Sequence, residues 1–235
     1  MLTQREAQAR DTSAPIELVD IAEIPNGGEL RLLQCGPHFS IQFGQDELMG
    51  SEAFASEQAL ARLAIGHVGA SCERVLIGGL GMGFTLRAAL DALPASASVV
   101  VAELVPKIVT WAAGPLAHLF EGTLTDPRVE VKIRDVYDVI NAQQQAFDAI
   151  LLDVDNGPDG FIQLSNERLY CDWGLRDAYA ALRPGGVLAV WSAYEDDTFV
   201  GRLEKAGFVG SEVKVDDPEG RERQPYTIWL ASRPR

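Results

Sequence analysis

Four short apolar runs in this chain each end on glycines or an acid. Val75-Leu76-Ile77 leads into Gly78-Gly79-Leu80-Gly81-Met82-Gly83. Glycines between a strand and a helix permit positive φ and bring backbone close to a ligand, and the helix start offers unpaired N–H groups. Val99-Val100-Val101-Ala102 leads into Glu103-Leu104. A carboxylate at that point can accept hydrogen bonds from both hydroxyls of a ribose. Asp135-Val136 follows a third run, and its carboxylate suits the amino group of an adenine. Asp153 follows a fourth, with Asp155 and Asn156 close behind. Asp135 is equally suited to capping a helix, and Asp155-Asn156-Gly157-Pro158 to forming a turn.

The elements that hold these groups alternate. Strands at 75–77, 99–102, 129–133, 147–152 and 187–191 are separated by helical stretches at 85–92, 107–118 (interrupted by Gly114-Pro115) and 175–182, the last stopping at Arg183-Pro184-Gly185-Gly186. Such alternation predicts a parallel sheet covered on both faces, with ligands bound at the carboxyl ends of its strands. A helix over 196–206 is followed by two strands, 210–215 and 226–231, with no helix between them. They predict an antiparallel hairpin closing the sheet edge. Ahead of the sheet, Glu29-Leu30-Arg31-Leu32-Leu33 and Phe39-Ser40-Ile41-Gln42-Phe43 flank a Gly36-Pro37 turn, and a helix over 51–67 starts from Ser51. The expected organisation is a flexible leader at 1–15, a small β-hairpin module at 16–50 and one α/β domain at 51–235.

The chain has 235 residues, with 20 Lys+Arg against 34 Asp+Glu and a formal net charge of −14. This balance argues against a nucleic-acid backbone or an anionic membrane as partner, and leaves a cationic small molecule open. Solubility alone also accounts for much of it. Cys35, Cys72 and Cys171, like His38, His67 and His118, are scattered. No metal site is therefore expected, and the cysteine usage suits a reducing cytoplasm. No apolar run approaches the ~20 residues of a membrane-spanning helix.

The segments VLIGGLGMGFTLRAAL, VVVAELVPKIV, DPRVEVKIRDVYDVI, FDAILLDVDNGP and LRPGGVLAV together resemble the successive motifs of the spermidine synthase family, within the class I S-adenosylmethionine-dependent methyltransferase fold. The resemblance covers about residues 30–192. It implies a Rossmann-like seven-stranded sheet with a terminal hairpin, a small N-terminal β module and a homodimer. It also implies that Glu103 holds the ribose, Asp135 the adenine, and Gly79, Gly81, Met82 and Gly83, with Leu104 and Val136, the rest of S-adenosylmethionine or its decarboxylated form. Asp153 matches the acid that orients or deprotonates an attacking amine.

Three departures from the family pattern bear on the reaction. Met82 stands where the family carries an Asp that grips the aminopropyl amine. Asp153-Val154-Asp155-Asn156 replaces Asp-Ser-Ser-Asp. Asp46, Glu47 and Glu52 fit an Asp-Glu…Tyr-His-Glu pattern in which Gly50 and Ser51 take the Tyr and His positions. The leading expectation is accordingly an S-adenosylmethionine-dependent methyltransferase acting on a small-molecule acceptor, with catalysis by proximity and orientation. Aminopropyl transfer from the decarboxylated donor to an amine, and a catalytically silent cofactor-binding domain, are the alternatives. The candidate catalytic residues are Asp153 and Asp155, and Glu52, Asn156, Tyr170 and Trp173 are the candidate acceptor contacts. Phe161, Trp191 and Tyr194 are further aromatic candidates.

Overall fold

The computed structural model describes residues 14–25, 27–154, 158, 166–216 and 225–235. The chain opens with β1 (Ile16–Glu23), β2 (Glu29–Cys35), β3 (His38–Phe43) and β4 (Asp46–Gly50), an antiparallel sheet in the order β1-β2-β3-β4. Leu30 and Leu32 of β2 and Phe39 and Ile41 of β3 point into the core at every second position. Gly36 and Gly44, both at positive φ, make the tight turns. The expected hairpin is thus the centre of a four-stranded sheet, with β1 and β4 added at its edges.

Ser51 does not start the helix that follows. Its N–H donates to the Phe39 carbonyl and its hydroxyl accepts from the Phe39 N–H, which prolongs the β3–β4 pairing. Helix α1 (Ala55–Val68) begins only after it. Glu57, Leu60, Ala61 and Ala64 form its buried stripe, at helical i, i+3, i+4, i+7 spacing.

The second sheet has seven strands: β5 (Arg74–Gly78), β6 (Ser98–Glu103), β7 (Val129–Ile133), β8 (Phe147–Leu152), β9 (Leu182–Ser192), β10 (Val209–Val215) and β11 (Tyr226–Ser232). Their order is β10-β11-β9-β8-β5-β6-β7. Strands β5 to β9 run parallel, and β11 lies antiparallel between β9 and β10. Both faces are covered. Val75 and Ile77 of β5 enter one apolar cluster while Leu76 between them enters the other, and β8 divides Ala149 and Leu151 from Ile150 and Leu152 in the same way. Continuous apolar runs are what a doubly covered strand requires.

Helices α2 (Phe84–Ala92), α3 (Pro106–Ala113), α4 (Ala117–Phe120), α5 (Val136–Asn141), α6 (Glu167–Tyr170), α7 (Asp172–Ala181) and α8 (Phe199–Lys205) complete the fold. Further expected boundaries move, among them α7, which starts at Asp172, and α8, which spans Phe199–Lys205. The 107–118 helix breaks into α3 and α4 at Gly114-Pro115, because proline has no N–H to continue the ladder. Strand β9 starts at Leu182, since Gly185 and Gly186 exchange backbone hydrogen bonds with Arg233 and extend the sheet through Arg183-Pro184-Gly185-Gly186. The Asp126-Pro127-Arg128 motif is a clamp: Asp126 pairs with Arg128, whose guanidinium donates to the Leu90 and Leu93 carbonyls at the end of α2. That contact fixes where β7 enters the sheet. The chain builds β5, β6 and β7 in one direction, then crosses to β8 and β9 on the other side of β5, so a crevice opens between the diverging connections.

Candidate active site

The crevice lies above the carboxyl ends of β5 to β9 and holds about 1080 Å3 including its open mouth. That volume is sufficient for a nucleoside with an attached side chain. Its floor is Gly79 and Gly81 after β5, Glu103, Leu104 and Val105 after β6, Asp135 and Val136 after β7, Asp153 and Val154 after β8, and Trp191 near the end of β9. Its roof is the N-terminal sheet, through Ile24, Leu30, Ile41, Leu48 and Met49. Glu57 of α1 and Asn166 close the remaining side. Four lining residues are carboxylic acids, and among the described residues no Lys, Arg or His lines the crevice.

Gly79 has a steric reason to be glycine. Its φ is +88°, and a Cβ there would stand 2.2 Å from the Asp153 carbonyl oxygen. Backbone of β5 and β8 thus meets directly beneath the crevice. Glu103 is buried and ties the glycine loop to β6: it accepts from the Leu80 N–H at 2.9 Å and the Val105 N–H at 2.8 Å. Burial pushes its carboxyl pKa up, against the pull of these donors and of the Gly81 and Leu104 N–H groups.

Asp135 serves two roles at once. It caps α5 by accepting from the Tyr137 N–H at 2.9 Å, and it lines the crevice. Arg168 donates to its other oxygen while stacking over the Tyr137 ring, 4.8 Å from the centroid.

Asp153 and Glu57 form the most unusual part of the site. Asp153 accepts a 2.6 Å hydrogen bond from the Thr85 hydroxyl. The same hydroxyl oxygen lies 3.4 Å from the Glu57 carbonyl oxygen. Burial pushes Asp153 up to about 6, with the Thr85 bond pulling the other way. Glu57, 6% exposed, is pushed up to about 7 by burial and by the charge of Asp153, although the Ser56 hydroxyl donates to it at 2.6 Å. Neither carboxylate is paired with a basic side chain among the described residues. The site can therefore accept a proton or an ammonium near neutrality.

Several expected contacts lie elsewhere. Met82 is fully buried in the core beneath the loop and does not face the crevice. Gly83 packs on Phe120, where a Cβ would come within 2.4 Å of the ring, so packing alone already requires a glycine there. Glu52 pairs with His38 at 3.5 Å outside the crevice lining. Tyr170 is 1% exposed and packs edge-on against Phe199, 6.1 Å between centroids, in the core cluster. Trp173, half exposed, stands edge-on against Tyr137 at 5.2 Å and does not line the crevice. Tyr194 is exposed. Asp155, Asn156 and Phe161 fall outside the described residues.

Glu57 escaped the sequence reading, yet it carried a signal. An acid at the i position of an otherwise apolar i, i+3, i+4, i+7 stripe is an acid facing inward.

The comparisons agree with this architecture. No curated protein matches the chain. Among solved structures, a spermidine synthase in complex with the transition-state analogue AdoDATO superposes with a TM-score of 0.75 at 18% identity, covering 92% of this chain and 73% of that one. Spermidine synthase from Thermotoga maritima gives 0.71 at 18% identity over 92% and 72%. A probable spermidine synthase from Corynebacterium glutamicum ATCC 13032 gives 0.63 at 16% over 92% and 80%. At these identities the likeness establishes the fold. The family assignment rests on the model of the spermine/spermidine synthase domain, which matches residues 55–196, from the start of α1 to just beyond β9. With more than half its length matched, the chain belongs to the spermine/spermidine synthase domain family.

Proposed function

We propose that this protein is an aminopropyltransferase that moves the aminopropyl group of decarboxylated S-adenosylmethionine to a small-molecule amine. The observation that carries this reading is the charge of the crevice: four carboxylic acids and, among the described residues, no basic side chain. Both donors carry an ammonium and a sulfonium that find partners there, but the carboxylate of S-adenosylmethionine meets only like charges, and the decarboxylated form lacks it. Family membership supports the same choice over methyl transfer, the leading expectation from sequence alone. A donor nucleoside fits the floor, with Glu103 accepting from the ribose hydroxyls, Asp135 facing the adenine and Leu104 and Val136 flanking the base. The flat backbone at Gly79 leaves room for the sulfonium arm.

In the reaction, Asp153 takes a proton from the acceptor ammonium and frees the nitrogen lone pair. The nitrogen attacks the aminopropyl carbon bonded to sulfur, the carbon–sulfur bond breaks, and sulfur keeps the electron pair in 5′-methylthioadenosine. The experiment is product analysis by mass spectrometry with each donor and a panel of amines. Methylthioadenosine and an aminopropylated amine from the decarboxylated donor are expected. Methylated acceptor and S-adenosylhomocysteine from the carboxylated donor would overturn the assignment. A homodimer belongs to the same reading, with β1 as the contact edge, since Ile16, Leu18 and Ile21 are 70%, 55% and 41% exposed. Sedimentation should then give twice the 25.5 kDa chain mass, and a monomer at micromolar concentration would refute it.

A further inference from the structure

Decarboxylated S-adenosylmethionine carries a primary ammonium at the end of its aminopropyl arm, and a buried ammonium needs an anion. The glycine loop, Gly78-Gly79-Leu80-Gly81-Met82-Gly83, contains no acid and supplies none. Two of the four crevice acids are already engaged. Glu103 is held by the Leu80 and Val105 N–H groups, and Asp135 by the Tyr137 N–H and Arg168. The remaining two are Asp153, whose carboxylate accepts from the Thr85 hydroxyl, and Glu57, whose backbone carbonyl lies 3.4 Å from that same hydroxyl and whose carboxylate lines the crevice. Transfer involves two nitrogens in different places, one on the donor arm and one on the acceptor. Asp153, at the end of β8, is assigned above to the acceptor.

We infer that Glu57 of α1 is the partner of the donor's aminopropyl ammonium, and that it selects the decarboxylated donor by repelling the carboxylate of S-adenosylmethionine. The inference rests on the aminopropyl-transfer reading. Glu57 is suited to the role by position as well as charge. It lines the crevice, it is almost wholly buried, and its only described side-chain partner is the neutral Ser56 hydroxyl. Burial, and then the charge of nearby Asp153, raise its proton affinity when no cation is present. An incoming ammonium relieves that repulsion, so donor binding and proton release are linked.

Calorimetry on the full chain tests this with three ligands: decarboxylated S-adenosylmethionine, S-adenosylmethionine and 5′-methylthioadenosine, which has the nucleoside but no ammonium. The wild type is expected to favour the decarboxylated donor over S-adenosylmethionine by at least about tenfold. Glu57→Gln should weaken the decarboxylated donor by about 10–100-fold, the usual worth of a charged hydrogen bond, and leave methylthioadenosine within about threefold. Glu57→Asp, which keeps the charge on a shorter arm, should fall between. Unchanged affinity of Glu57→Gln for the decarboxylated donor would overturn the assignment, as would an equal loss for methylthioadenosine. If the wild type transfers aminopropyl groups while Glu57→Gln keeps its donor affinity, this inference fails and the proposed function stands. If the wild type binds S-adenosylmethionine and not its decarboxylated form, both fail.

Discussion

Thr85 Oγ1 donates its hydrogen to Asp153 Oδ2 across 2.6 Å, joining the first turn of α2 to the end of β8. The bond favours the ionised carboxylate, against burial that favours the neutral acid. Thr85→Val keeps the shape and removes the donor. Asp153 should then titrate higher by on the order of one pH unit, with activity at pH 6.5 falling more than activity at pH 8.5. The pH–rate profile of the variant checks this. A loss uniform across pH would mean that Thr85 acts only through packing.

Asp153, pushed up to about 6, must be ionised to take the acceptor's proton. The sign is that of a base: kcat/KM rises as pH climbs through about 6 and levels above it, with Glu57 at about 7 broadening the rise. Asp153→Asn should lower turnover by roughly 10²–10⁴-fold and abolish that acid limb. Rates measured from pH 5 to 9 decide it, and a wild-type profile flat from 5.5 to 8 would remove Asp153 from the proton path.

Two glycines of one loop should respond differently to alanine. At Gly79 the added Cβ meets the Asp153 carbonyl oxygen at 2.2 Å, which is backbone and cannot retreat without moving β8. At Gly81 it meets the terminal atoms of Met49, at 2.8 Å to Cε, and a flexible thioether can swing aside. Gly79→Ala should therefore unfold at markedly lower temperature, having lost several kcal/mol, while Gly81→Ala loses about 1 kcal/mol from its positive φ. Thermal scans of the two variants side by side test the ranking.

The division between what was readable in the chain and what was not follows the same physics. Val75-Leu76-Ile77 and Ile150-Leu151-Leu152 announced doubly covered strands because each face of the sheet has its own apolar cluster. Gly79, Gly81, Glu103, Leu104, Asp135, Val136 and Asp153 all reach the crevice because a parallel sheet delivers every strand end to one edge. Met82 and Gly83 do not line the crevice, and a loop's sequence does not reveal which side chains turn inward. Tyr170 packs in the core and Trp173 stacks at the surface, since an aromatic residue suits either as well as a pocket. Glu52 fits the spacing of the family motif, and only the packing of α1 against the sheets shows that Glu57 is the acid that faces inward.

The Glu57–Asp153 pair also makes the ligand-free protein sensitive to pH in a direction opposite to ordinary acid denaturation. Both folded pKa values, about 7 and about 6, lie above the ~4 of an unfolded chain. Folding therefore binds protons at this site, and its contribution to stability is fully present below about pH 4 and lost as pH rises to 7. Asp20, Asp126 and Asp196 are shifted downward and act in the reverse sense, but their window lies below pH 4. Between pH 5 and 8 the carboxylate pair, together with Glu103, which burial raises in the same sense, therefore sets the slope, and only the pair is altered by a change at Glu57. Glu57→Gln removes one of the two charges and keeps the hydrogen-bonding shape beside Ser56. It should leave stability at pH 5 nearly unchanged and raise it at pH 8 by on the order of 1–3 kcal/mol. For a chain of this size that is a rise in Tm of a few degrees, about 2–4 °C per kcal/mol. Paired thermal scans of wild type and variant at pH 5 and pH 8 measure it directly. A variant less stable than wild type at pH 8 would mean that Glu57 already has a cationic partner in the free protein, and would refute the picture of two unneutralised carboxylates sharing one buried site.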